Sequence, residues 1–307
     1  MPIVSVLMPV YNVEGYISKA LRSLQQQTMQ DFEIVAVNDG STDRTLEVLT
    51  DAALRDPRIK VQGMVSNSGI VAALNHGLQF CHSAFIARLD GDDLAEPDRL
   101  QKQVSFLQSH PRIALVSSAT LSIDEQDRVL GKSPVPTSES AITRTMLLST
   151  PCLHTWLARR ELYDRLQGYR PIPGAEDFDF LLRAVTAGFH IANLPDCLTR
   201  MRLRSGNTAS TAGLRQRKAH QYVVQLYRER LQDGVDTFSP EGFAQAVASN
   251  SLEQTLHGRA AQLVQAGFNS RCRLSKALLC LLAAVISPWQ ARYFIDRARV
   301  RFIMRTA

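Results

Sequence analysis

The chain has 307 residues and a formal net charge of +6 at pH 7; eight cations from Arg271 onward, opposed only by Asp296, carry the whole excess and leave residues 1–270 at −1. A protein that coats nucleic acid through a generally basic surface is therefore excluded. Hydrophobic residues at 45% and charged residues at 21% exclude a disordered or fibrous chain, and five scattered cysteines without a C-x-x-C pair exclude a disulfide framework or zinc site and point to a reducing, cytoplasmic compartment.

Ile3 to Val10 is a β-branched apolar run without the basic leader and longer apolar core of a signal peptide, and it is expected to form a strand. Tyr16, Ala20, Leu21 and Leu24 follow at helical spacing. Phe32 to Val37 reads as a second strand, Leu46 to Ala53 as a second helix, Lys60 to Val65 as a third strand and Gly69 to Phe80 as a third helix. Phe85 to Leu89, Asp98 to Gln108 and Ile113 to Ser117 continue the alternation. Such alternation predicts crossover units, and so an α/β fold with a mostly parallel twisted sheet and helices on both faces.

Ligands of these sheets bind beyond the carboxyl ends of the strands. Here those ends are polar: Pro9-Val10-Tyr11-Asn12, Asn38-Asp39-Gly40-Ser41-Thr42-Asp43, Ser66-Asn67-Ser68-Gly69 and Asp90-Gly91-Asp92-Asp93. No G-x-G-x-x-G follows the first strand and no P-loop motif occurs, which argues against a dinucleotide oxidoreductase and a P-loop ATPase. Three aspartates within four residues resist joint ionisation unless a cation is present, and their oxygens suit Mg2+ or Mn2+. Each segment also has a plainer reading as a turn or helix cap. Four of them at successive strand ends converge on one cleft.

In order and spacing these segments, with Ala73-Leu74-Asn75-x-Gly77 and Glu176-Asp177, resemble glycosyltransferase family 2, inverting enzymes of GT-A fold, over about residues 3–207. The resemblance implies that Pro9, Tyr11, Asn12, Asp39 and Asn67 bind the nucleotide of a sugar donor, with Tyr11 and Asp39 on its base, often uracil. Asp90 and Asp92 would be the D-x-D pair holding Mn2+ or Mg2+ against the diphosphate, with Arg88 near the phosphates. Asp177 would be the catalytic base, and Glu176 and His154 would lie on the acceptor side. The residues themselves also allow Glu176 and Asp177 to be a favourable acidic first turn, and His154 to be a hydrogen-bonded structural histidine. His76 sits within a helix and needs no functional account. Where the family often carries a histidine after the acceptor-side strand, this chain has Arg204, which cannot ligate a metal and either pairs with the diphosphate or is a surface cation.

The expected organisation is a catalytic domain over residues 1–210, with a nucleotide-binding half 1–118 and an acceptor half 119–210, followed by an α-helical extension 211–307. In the extension Ala219 to Leu231 and Glu241 to Ala266 show helical spacing, with Gly234, Pro240 and Gly267 as punctuation. Ala277 to Ile286 is an uninterrupted apolar stretch, too short to span a membrane, which takes roughly 20 residues. Cations flank it and interleave with Trp289, Tyr293, Phe294 and Phe302. This composition fits a helix lying on an anionic membrane, and equally a helix buried against the domain or in a homo-oligomer.

The reading that follows is transfer of a hexosyl or N-acetylhexosaminyl group from a nucleotide sugar, UDP-linked, to a glycan or lipid-linked hydroxyl in cell-surface polysaccharide synthesis. It places the enzyme in the cytoplasm at the inner face of the membrane, with no nucleic-acid partner. The alternative is a non-catalytic nucleotide-sugar-binding or assembly protein on the same fold, against which the retained Asp39, Asp90, Asp92 and Asp177 argue. A nucleotidyltransferase would need a Gly-rich, Lys-containing loop between Pro9 and Gly15, and none is present.

Overall fold

The apolar periodicity of the N-terminal part is realised strand by strand. In the computed structural model, which describes residues 1–204, 213–270 and 272–306, strands β1 (Val4–Val10), β2 (Phe32–Asn38), β3 (Ile59–Gly63) and β4 (Phe85–Arg88) alternate with helices α1 (Ile17–Gln25), α2 (Thr45–Arg55) and α3 (Ile70–Leu78). The four strands pair in parallel in the order β3-β2-β1-β4. Every residue of β1 is buried, as in a strand covered on both faces. With the two-residue period of a strand, Val4, Val6, Met8 and Val10 join Ile17, Leu21, Leu24 and Leu49 on one face. Leu7, Val35, Val37 and Leu74 join on the other, under α3.

Beyond β4 the chain forms β5 (Leu94–Ala95), α4 (Arg99–Ser109), β6 (Ile113–Ile123), β7 (Val129–Ser133), α5 (Glu139–Thr145), β8 (Leu157–Arg159), α6 (Arg160–Leu166), α7 (Glu176–Thr186) and β9 (His190–Arg202). The sheet continues β4-β8-β6-β9-β5, with β7 on β6. Here only β6 and β9 pair in parallel, and the other pairings are antiparallel. The parallel half thus ends at β4 and the acceptor-side half is mixed. Strand β9 returns its far end to β5, setting Arg200 opposite Leu94 beside the acidic turn.

Among the described residues five helices follow: α8 (Gly213–Asp233), α9 (Pro240–Val247), α10 (Ser251–Asn269), α11 (Arg273–Ile286) and α12 (Pro288–Thr306). The helical spacing of residues 241–266 is shared between two of them. Ala248 turns extended, and the Asn250 side chain accepts the Glu253 amide at 2.8 Å to start α10. Helix α8 buries Ala219, Tyr222, Val223 and Leu226 in the same core as Phe178, Leu181 and Leu182 of α7. The expected boundary at residue 210, Asn207 and Arg271 lie outside the described residues. No described helix is long and apolar enough to cross a membrane.

Candidate active site

At the carboxyl edge of β1 and β2, turn chemistry builds the first wall. Gly40 has φ +63°, and a Cβ there would lie 2.5 Å from the carbonyl carbon of Ser66, so a glycine lets the loops after β2 and β3 touch. Asp39, 3% exposed, accepts the amides of Ser68 and Gly69, each at 2.8 Å, one on each oxygen, which locks the loop leading into α3 to the end of β2. Asn12 accepts the Thr42 amide at 2.8 Å and donates its own amide to Ser41 Oγ at 3.1 Å. Of the residues expected in the site, Asn12 alone stands outside the lining of a cleft of about 590 Å3 and instead braces this turn; Pro9, Tyr11, Asp39, Asn67, Arg88, Asp90, Asp92, His154, Glu176 and Asp177 all face it. Asn75 ties the two halves together, exchanging 2.8 Å hydrogen bonds in both directions with the Tyr169 backbone.

The acidic turn folds over the end of β1, where a Cβ on Gly91 would meet Val10 Cγ1 at 2.5 Å. Its three charges are settled within the protein. Arg88, 3% exposed, donates to both oxygens of Asp90 at 2.9 and 3.3 Å, and although burial opposes it, Arg88 and then His154 hold this carboxyl below its usual range. Arg204 Nε donates to Asp92 Oδ2 at 2.7 Å. Asp93 accepts the Arg202 amide at 2.8 Å, and burial, followed by its two acidic neighbours, pushes its carboxyl well above the ordinary range and favours the neutral form.

Two further arginines were not legible as site residues. Arg99, fully buried behind the turn, donates to the carbonyls of Arg88 and Thr155 at 2.6 and 3.0 Å, and burial lowers its pKa to about 10 against the pull of Asp93 and Asp90. Arg202 donates to the Asp92 carbonyl at 2.9 Å and lies over the Tyr16 ring. In sequence each looks like an ordinary surface cation.

The opposite wall is the start of α7. Asp177 faces the cleft half-buried and accepts the Phe178 amide at 2.7 Å, so its role in the first turn and its access to the cleft coexist. Glu176, 7% exposed, accepts the Gly174 amide at 2.9 Å and lies 3.8 Å from Arg88 Nη1. Burial, then the charge of Asp177, raise its pKa to about 7. His154 Nε2 is buried with no hydrogen-bond partner among the described residues, 3.5 Å from Asp90 Oδ2 and 3.9 Å from Asp93 Oδ2. Burial keeps this imidazole below its usual pKa. Helix α8 completes the wall with Gln216, while His220 stacks on Phe178 at 4.1 Å. Helical periodicity gave no sign of either residue.

Among the described residues no group of three or more His, Cys, Asp or Glu is arranged to hold a metal ion. Asp90 and Asp92 nevertheless bring two carboxylates to one cleft, with the unpartnered His154 nitrogen beside the first. This set fits a hard divalent ion that draws most of its shell from water and phosphate oxygens, and does not fit one enclosed by protein ligands.

The sequence profile of the family described as glycosyl transferase family 2 matches residues 5–167. The amylovoran biosynthesis glycosyltransferase AmsE of Erwinia amylovora is 32% identical over 233 residues, covering 74% of this chain and 85% of AmsE. Among solved structures, S. aureus TarS 1–349 in complex with UDP-GlcNAc matches with a TM-score of 0.63 at 19% identity, over 99% of this chain and 90% of that one. The mannosyltransferase PcManGT of Pyrobaculum calidifontis, in complex with GDP-Man and Mn2+, matches with a TM-score of 0.60 at 21% identity, over 99% and 86%. Fold and matches together define a glycosyltransferase of GT-A fold. The chain belongs to glycosyl transferase family 2.

Proposed function

We propose that the protein transfers a hexosyl or N-acetylhexosaminyl group from a UDP-linked donor to a hydroxyl of a glycan or lipid-linked acceptor, with inversion, in cell-surface polysaccharide synthesis. The observation that carries this reading is that Asp90 and Asp92 share one cleft with Asp177 on the facing wall. Tyr11, 42% exposed at the cleft, offers a ring to the base, and Asp39 and Asn67 offer polar edges beside it. Arg88 and Arg204 place two guanidinium groups where a diphosphate would sit. Mn2+ or Mg2+ held by Asp90 and Asp92 would supply charge stabilisation to the departing diphosphate. Asp177 takes the acceptor proton as the hydroxyl attacks the anomeric carbon from the face opposite the leaving group, a contribution of about 10² to 10⁴ in rate. A single displacement inverts the configuration. Glu176 and His154 line the path of the acceptor hydroxyl.

UDP-GlcNAc in TarS and GDP-Man with Mn2+ in PcManGT support the donor class and the metal, and the name of AmsE supports polymer synthesis. In this reading residues 1–210 are the catalytic unit, its nucleotide half at 1–118 and its acceptor half at 119–210. Residues 211–307 form the helical extension, and its end, 271–307, holds the enzyme at the cytoplasmic face of a membrane.

A thermal-shift series of nucleoside diphosphates with and without Mn2+ tests the donor site. UDP is expected to raise the melting temperature, and more with Mn2+ present; no response to any nucleotide counts against a donor cleft. Asp177→Asn is expected to keep that response and to lose transfer by at least about 10²-fold. Normal turnover by this variant removes Asp177 as the base.

A further inference from the structure

Helices on globular proteins usually turn their apolar stripe inward. Helix α11 turns it outward. Leu274, Leu278, Leu281, Leu282 and Val285 are 82, 57, 63, 42 and 75% exposed, whereas Ala283 is fully buried. Spacings of four, three and four put Leu274, Leu278, Leu281 and Val285 on a single face. The other side of the helix is taken: it packs on α10, where the Gly267 position lies against Leu279 and Cys280. An aliphatic face this large, left open beside a covered one, marks a contact surface.

The surrounding charge selects what covers it. Arg273 and Lys276 belong to α11 itself, and Arg292, Arg297, Arg299, Arg301 and Arg305 to α12, which packs against it, with Asp296 the one acid from residue 271 onward. Two copies meeting face to face across a two-fold axis would set one strongly basic end against another, which opposes self-association. An anionic surface complements it. Exposed Tyr293 and Phe302 on α12 are side chains that settle at a membrane interface. With 14 residues, α11 is long enough to lie in that interface and too short to cross the bilayer.

We infer that the Leu274–Val285 face of α11 inserts into the interface of an anionic phospholipid bilayer while the arginines of α12 pair with its headgroups. This rests on the membrane reading given above and adds to it the inserting residues and the requirement for anionic lipid. The experiment is co-sedimentation of the full chain with vesicles of phosphatidylcholine alone or mixed with phosphatidylglycerol, alongside light scattering for oligomeric state. The wild type is expected to sediment with the mixed vesicles and to stay in solution with neutral ones. Leu278→Glu combined with Leu281→Glu, both at exposed positions, is expected to lower the bound fraction on the order of tenfold while the melting temperature and the response to UDP are retained. If the wild type binds neither kind of vesicle, the membrane reading itself fails. Should it bind and the double variant bind equally well, the membrane reading stands and the inserted face is wrong. A wild-type dimer that the double variant abolishes would make the face a self-association surface and overturn the inference.

Discussion

Burial and charge pull in opposite directions at Glu176. Its carboxyl rises to about 7 through burial and the nearby Asp177, while Arg88 draws it back. Because the folded value lies above the unfolded one, the folded protein keeps a proton that the unfolded chain has lost between about pH 4.5 and pH 7. Its contribution to stability is therefore complete below that window and is lost as pH rises through it. The loss is at most roughly 3–4 kcal/mol, taking about 1.4 kcal/mol per pH unit. Glu176→Gln is expected to flatten the dependence of unfolding free energy on pH across this window, measured by denaturant titration. Parallel curves for variant and wild type would mean that Glu176 is ionised throughout. Arg204 gives a second prediction at this scale. Its guanidinium occupies one oxygen of Asp92, so a divalent ion must compete with it. With a partly exposed pair worth about 1 kcal/mol, Arg204→Ala is expected to tighten nucleotide-free Mn2+ binding roughly fivefold by calorimetric titration. Unchanged affinity would show that the pair does not stand in the way of the ion.

At the scale of elements, the start of α3 depends on a residue from another strand. Asp39 supplies the acceptors for the amide of Gly69, the N-cap of α3, and for that of Ser68 just before it. Asp39→Ala is expected to cost about 1–3 kcal/mol in a denaturation experiment and to weaken UDP binding, since the loop carrying Asn67 loses its anchor. A loss of binding with stability unchanged would assign Asp39 to the ligand alone. Local elements of this kind were legible because strand and helix periods differ and Gly, Asn and Asp mark the turns. The break between α9 and α10 was not read, because helical spacing runs on across it. Its signal was nevertheless present in Asn250-Ser251-Leu252-Glu253, a cap residue with a glutamate three positions later. The mixed half of the sheet was beyond sequence reasoning for a different reason: β6 finds β8 and β9 across long separations, and no local pattern encodes which strand is the partner. The same distance hid Arg99 and Arg202, which become site residues only when α4 and β9 fold behind the acidic turn.

Across the whole molecule, the sheet and the helical extension share one core. Tyr222, Val223 and Leu226 of α8 pack with Phe178, Leu181 and Leu182 of α7, the helix that carries Asp177. A chain ending at residue 210 is expected to aggregate or to melt well below the full protein, because that face of α7 would be bare. One ending at Ser270 retains α8 to α10 and is expected to fold with a modestly lower melting temperature by circular dichroism, since Ile303 and Gln290 of α12 are buried. Equal melting of the full chain and the 210-residue chain would make the shared core irrelevant to stability.

Gln216 and Arg217 are neighbours on α8, and they look in different directions. Gln216 lines the cleft, whereas Arg217 donates to the Trp289 carbonyl at 2.9 Å and lies over the Tyr293 ring on α12. Two adjacent residues of α8 thus join the cleft to the basic helix α12. If α11 and α12 dock on a bilayer as inferred above, this contact fixes the height of the cleft above it like the mark on a ruler. On that inference a lipid-anchored acceptor would be selected by the length of its tether as well as by its chemistry, since one too long or too short would present its hydroxyl at the wrong level.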